Sequence, residues 1–79
     1  MKLTIISLKK IEYNGEVVSV NVKTTSGEIT VLDNHRPLLT ALSSGQAVVV
    51  AENGNKSYFD INSGFLEMDD KNSVSILIG

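Results

Sequence analysis

Residues 18–32 read VSVNVKTTSGEITVL, and this stretch decides the fold class. Val18, Val20 and Val22 alternate with polar residues, which is the period of a strand with one buried face. Ser26-Gly27 then interrupts the pattern with residues typical of a reversal, and the alternation resumes after it. The stretch predicts two strands joined by a turn, with the three valines facing the core.

The same alternation recurs along the chain. Val74, Ile76 and Ile78 repeat it near the end, and residues 47–51 are apolar on both parities, as in a strand covered on both sides. Asn53-Gly54 is a strong hairpin signal, because both residues are expected at positive φ. The predicted strands are 2–8, 16–23, 28–32, 46–52, 56–62, 64–69 and 73–78.

Seven short strands without helical periodicity indicate an all-β fold, either a β-sandwich or a small barrel. A chain of 79 residues has room for one domain, so we expect a single domain over residues 1–79. Residues 33–44 carry no strand pattern, and Pro37 could begin a single helical turn. Loops of this length in compact domains are usually functional, which draws attention to the segment.

Composition excludes several classes of function. Cysteine is absent, which excludes disulfides and thiolate metal sites. The net charge is −2 and the basic residues are scattered, apart from Lys9-Lys10, so nucleic acid is not an expected partner. No apolar run approaches the roughly 18–20 residues that cross a bilayer, so we expect no direct membrane insertion.

Catalytic and metal-binding patterns are also missing. His35 is the only histidine, and a nearby Asp33 is too common a coincidence to indicate a triad or a zinc site. Asp69-Asp70 is typical of a solvated turn rather than a calcium loop. We therefore expect no catalytic residue, no cofactor and no metal.

A surface for another protein remains as the best interpretation of residues 33–44. Its leucines, Leu38, Leu39 and Leu42, lie beside charged residues, and an apolar centre with an arginine-containing rim is typical of interfaces. Two simpler interpretations stay open. The leucines could cap the end of the core, and the charged residues could form a solvated rim.

Residues 24–42, TTSGEITVLDNHRPLLTAL, resemble the epsilon subunit of F-type ATP synthases. The opening MKLTIIS, Gly15-Glu16-Val17 and Ser63-Gly64-Phe65-Leu66-Glu67 resemble further segments of that family in the same order. The resemblance spans the whole chain. It implies the family's N-terminal domain, a small flattened β-sandwich of about seven to ten short strands.

The resemblance also implies a role. The family member is a non-catalytic subunit of the central stalk, or rotor, that links the gamma subunit to the c-subunit ring. It couples proton or ion translocation to ATP synthesis, as a peripheral component on the cytoplasmic face of the bacterial cell membrane. The residues expected on the c-ring side are Ser26, Gly27, Glu28, Asp33 and Asn34. Those expected on the gamma side are Ser7, His35, Arg36, Thr40 and Leu42.

Several positions depart from the family pattern. Asp33 stands where the family usually has proline, and Arg36 stands where it usually has alanine. The family also continues as a helical hairpin that inhibits ATP hydrolysis, whereas the printed sequence stops at Gly79. We expect residues 1–79 to lack hairpin inhibition, and both a natural end and a longer chain stay open. The alternative function is a stand-alone β-sandwich module, derived from this family, that binds a protein or ligand.

Overall fold

The computed structural model describes residues 1–79, which form eight strands, and it has no helix long and apolar enough to cross a membrane. The all-β fold class is therefore confirmed. The strands are β1 Lys2–Ile6, β2 Ile11–Thr24, β3 Gly27–Leu32, β4 Leu38–Leu42, β5 Gly45–Ala51, β6 Lys56–Ile61, β7 Gly64–Met68 and β8 Ser73–Ile78.

The strands form a sheet that closes around one core. Their order is β1-β8-β7-β4-β2-β5-β6, β3 pairs with β2, and β1 also pairs with β2. The first half of β2 lies against β1, while its second half lies between β3 and β5. We call β1, β8, β7 and β4 the first layer. The second layer contains β3, the second half of β2, β5 and β6.

Period-two alternation places the core between the layers. Fifteen apolar residues are buried, and Thr24 is the only buried polar residue. Its hydroxyl donates to the carbonyl oxygen of Gly27 at 2.6 Å, so the buried oxygen is satisfied. The buried apolar residues are Met1, Leu3, Ile5, Val17, Val20, Val22, Val31, Leu42, Ala47, Val49, Ile61, Leu66, Met68, Val74 and Ile76.

Val18 was predicted to face the core, and this prediction is wrong. Val17 pairs with Ala51 and Ser19 pairs with Val50, so Val18 is an extra residue in β2 without its own partner. This irregularity is a β-bulge, which changes the parity of the strand. Val17 becomes buried and Val18 is 41% exposed, while Val20 and Val22 face the core as predicted.

The first half of β2 was also missed. Asn14-Gly15 is a dipeptide typical of turns, but Asn14 pairs with Thr4 and Gly15 pairs with Leu3 inside the ladder between β1 and β2. The reversal lies at residues 7–10 instead, where the Ser7 amide donates to the carbonyl of Lys10 at 2.9 Å. Strand β1 consequently ends at Ile6, two residues earlier than predicted.

Part of the supposed loop 33–44 is a strand. Residues 38–42 pair with β7, from Leu38 opposite Met68 to Leu42 opposite Gly64. The helical turn suggested by Pro37 does not form, because the backbone after it joins this ladder. Apolar residues occupy both alternating sets of positions in residues 38–42, so the sequence shows no period of two there.

The predicted hairpin at Asn53-Gly54 is present between β5 and β6, although its geometry differs. Among its turn residues only Gly54 has positive φ, at 88°, and Asn53 does not. The Gly54 amide donates to the carbonyl of Ala51 at 2.9 Å, and the Ala51 amide donates to Asn55 at the same distance. The reversal therefore uses more than two residues, and β6 begins at Lys56 as predicted.

Three separate segments meet at the amino group of Met1. This ammonium group donates to the carbonyl of Val17 at 3.0 Å and to Oδ1 of Asp33 at 2.7 Å. The Asn72 amide donates to the same carboxylate at 2.9 Å, and its Oδ1 accepts from the Asn34 backbone at 2.7 Å. These bonds tie the end of β3 to the turn between β7 and β8. Hydrogen bonds from the amino group and from Asn72 lower the pKa of Asp33 below its ordinary value.

Replacing Gly64 by alanine should destabilise the fold. A Cβ at this position would lie 2.0 Å from the carbonyl oxygen of Leu77, which is backbone in the paired strand and cannot move aside. We expect G64A to lose about 1–3 kcal/mol of unfolding free energy in urea denaturation, as overpacked sites do. G15A is the matched control, because its Cβ would meet only ordinary contacts with Tyr13. If G64A and G15A had equal unfolding free energies, the close approach of position 64 to the Leu77 carbonyl would be contradicted.

The bond between Met1 and Asp33 should make stability depend on pH. Because folding lowers the pKa of Asp33, its contribution is present above the ordinary pKa of about 3.9 and is lost as pH falls through the lower folded value. D33N should therefore be less stable than the original chain at pH 7. The difference in their urea midpoints should shrink below about pH 4. A difference that does not shrink as pH falls below this range would contradict this role.

Candidate partner-binding surfaces

The reversal between β2 and β3 holds Ser26, Gly27 and Glu28, three of the residues expected on the c-ring side. The Ser26 amide donates to the Thr24 hydroxyl at 3.1 Å, and Gly27 adopts a φ of 122°. That φ favours glycine, because a Cβ would be strained in this conformation. The buried Thr24 side chain thus fixes the turn, and all three expected residues are exposed.

The Glu28 side chain lies on the outer face of the second layer. Nδ2 of Asn21 donates to Glu28 at 2.9 Å and also to Thr30 at 2.9 Å, and the Lys23 ammonium lies 3.5 Å from the Glu28 carboxylate. The hydrogen bond from Asn21 and the charge of Lys23 lower the pKa of Glu28. Glu28 is therefore an ionised carboxylate at neutral pH, on the solvent side of the sheet.

Asp33 and Asn34, the other two residues expected on the c-ring side, lie apart from this group. Glu28 lies near the start of β3, whereas Asp33 follows its last residue, roughly 17 Å along an extended chain. Asp33 contacts Met1 and Asn72, and none of the partners of Glu28. The structure does not bring the five residues to one edge, because β3 separates them.

Four residues expected on the gamma side border the first layer. The His35 amide donates to the carbonyl of Leu32 at 3.1 Å, and its Nδ1 lies 2.7 Å from the carbonyl of Arg36. Arg36 is exposed and forms no ion pair. Ser7 is half-buried after the end of β1. Thr40 is also half-buried, but it lies on the inward parity of β4, opposite the buried Leu66.

Leu42, the fifth residue expected on the gamma side, does not lie on the surface, so that expectation is wrong. Its side chain is 4% exposed and belongs to the core cluster. It lies on the inward parity of β4, opposite Gly64. The open interpretation that the leucines cap the core therefore holds for Leu42, while Leu39 is 70% exposed on the opposite parity.

Sequence reasoning missed an exposed apolar row on the outer face of the first layer. Register places Ala41 opposite Phe65, Phe65 opposite Leu77, Leu77 opposite Ile6, and Ile6 opposite Ile11. The latter four are between 38% and 59% exposed. Each is a single apolar residue at a solvent-facing position, which is normal on any protein surface. Only the strand order, which the sequence does not state, aligns them.

No group of three or more His, Cys, Asp or Glu side chains is placed to hold a metal ion. The His35 ring meets a backbone carbonyl, and no nucleophile is among its hydrogen-bond partners. The surface does offer the fixed carboxylates of Glu28 and Asp33, the unpaired guanidinium of Arg36 and one apolar row.

The family model for the β-sandwich domain of the ATP synthase delta/epsilon chain matches residues 1–79. A chain from the Euglena gracilis mitochondrial ATP synthase structure, comprising OSCP, F1 and c-ring, is 27% identical with a TM-score of 0.90, over 96% of this chain and 48% of that one. A chain from the Tetrahymena thermophila mitochondrial ATP synthase central stalk and c-ring shares the fold at 17% identity and a TM-score of 0.83, over 99% and 62%. This chain thus spans only part of either relative. It belongs to the delta/epsilon family of ATP synthase, as that family's β-sandwich domain.

Proposed function

We propose that this chain is a non-catalytic subunit of the central stalk of an F-type ATP synthase, placed between the gamma subunit and the c-subunit ring. The family match over all 79 residues is the observation that carries the proposal. The structural relatives support it, since one comes from an assembly with F1 and c-ring and the other from a central stalk with c-ring.

The proposed role is mechanical coupling of ion translocation to ATP synthesis. A subunit that transmits rotation must not deform between its two contacts. Of the 46 backbone hydrogen bonds, 36 lie within the strand ladders, so most of the backbone belongs to one paired network. Such a network supplies stiffness without any catalytic group.

The two expected contact sides fall on different layers. Glu28 lies on the outer face of the second layer, and we assign it, with Ser26 and Gly27, to the ring side. His35 and Arg36 precede β4 of the first layer, and we assign them, with Ser7, to the gamma side. Thr40 is not assigned to it, because it lies on the inward parity of β4. We further propose attachment, through the complex, to the cytoplasmic face of a bacterial cell membrane, whereas the two structural relatives are mitochondrial.

The direct test is association with the cognate gamma subunit. The purified chain should co-elute with folded gamma in gel filtration at low salt. Absence of a complex would overturn the proposal.

Single charge reversals should separate the two sides. R36E should weaken binding to gamma, because the exposed guanidinium has no partner within this chain. E28K should leave gamma binding intact and weaken binding to detergent-solubilised c-ring, as measured by pull-down. K56E, at an exposed position on β6, is the matched control for both measurements. If E28K and R36E lose the same partner, the assignment of two sides is wrong.

A further inference from the structure

We propose that a shallow depression on the first layer accepts a large apolar side chain of the gamma subunit, and that carboxylates beside this side chain meet Lys9 and Lys10. The proposal rests on the function proposed above and identifies the contact within it. We call the exposed residues Ile6, Ile11, Phe65 and Leu77, with half-buried Ala41, the apolar row.

The apolar row is continuous because of register. Its five residues come from five neighbouring strand segments, each directly opposite the next. With strands about 4.8 Å apart, the row extends about 19 Å across the layer. The next row, running from Leu39 through Glu67 and Ser75 to Thr4, is mostly polar. A narrow apolar band therefore lies beside a polar surface, as in the centre and rim of an interface.

The depression lies at the Phe65–Leu77 part of this row. Leu8, from the turn between β1 and β2, lines it together with Phe65 and Leu77, and with Gly64 and Gly79. Six of its nine lining residues are hydrophobic. A few anchor residues, often aromatic, that fill such pockets dominate the binding free energy at protein interfaces.

Leu8 is held in an exposed position by its turn. The Ser7 hydroxyl accepts from the backbone amides of Lys9 and Lys10, at 3.3 Å each, and donates to the Glu12 carboxylate at 3.0 Å. The Ser7 amide also donates to the carbonyl of Lys10. With the turn fixed in this way, Leu8 is 93% exposed, the highest value of any large apolar residue in the chain. The side chain is therefore presented to solvent by a closed turn.

The charges beside Leu8 define the partner further. Lys9 and Lys10 are exposed and form no ion pair, since the only two pairs are Met1–Asp33 and Lys23–Glu28. They are the only adjacent pair of cations in a chain of net charge −2. An occupant with carboxylates next to its apolar side chain would satisfy both features.

A second copy of this chain fits less well. Stable homodimers use about 20–30 residues a side, and the apolar row with Leu8 offers six. A surface of this size suits one contact within a larger assembly, in which other contacts hold the partner.

The test measures the affinity of folded cognate gamma for variants of the full-length protein. L8D and F65D should each raise the Kd at least tenfold, because a carboxylate would be buried against the apolar anchor. L32D and Y58D are matched controls on the second layer, at 56% and 53% exposure, and should bind as the original chain does. K9E/K10E should weaken binding more at low salt than at high salt, whereas K56E/K71E should not.

The outcomes distinguish this contact from the proposed function. If the original chain does not bind gamma, both proposals fail. If it binds and L8D and F65D bind equally well, the depression is not the contact, while the function stands. A large loss of thermal stability in L8D would show that the protein's own chain covers the surface. Two further results would overturn the contact. One is that the original chain forms dimers and L8D abolishes them. The other is that the original chain binds phosphatidylserine vesicles and K9E/K10E abolishes that binding.

Discussion

The fold depends on one strand that belongs to both layers. Strand β2 is 14 residues long, and it pairs with β1 through its first half and with β3 and β5 through its second half. A strand can pass from one layer to the next only by bending, and a bulge provides the bend. The extra residue Val18 lies at this point. The bulge also brings Val17 into the core, where its carbonyl accepts from the amino group of Met1.

Alternation alone predicted most of the fold, because one buried face leaves a period of two in the sequence. It located both strands of the opening stretch, the final strand and the fold class correctly. It failed where pairing overrides local preference. Asn14-Gly15 has strong turn chemistry but is held in the ladder by β1, and Leu38–Leu42 becomes a strand because β7 provides a partner. A bulge such as that at Val18 leaves no sequence signal, since it is defined by the opposite strand.

The candidate partner-binding surfaces were harder to predict from the sequence, because strand pairing decides which residues share a surface. Residues close in sequence, such as Glu28 and Asp33, lie at the two ends of one strand, so their proximity in sequence does not place them side by side. Leu42 and Leu39 come from one leucine-rich segment, yet alternation sends the first to the core and the second to solvent. The apolar row shows the reverse effect, because residues far apart in sequence are aligned by register alone.

In the proposed function, the domain transmits force between a c-ring contact on one layer and a gamma contact on the other. Glu28 is opposite Lys23 near the end of β2, and Ile6 is opposite Ile11 at its beginning. The same strand therefore lies beneath both assigned contacts, so they are joined through a continuous backbone and its hydrogen bonds. A flexible linker between two smaller units would absorb part of each rotation as internal motion. A single strand shared by two layers leaves fewer such motions, as the proposed coupling role requires.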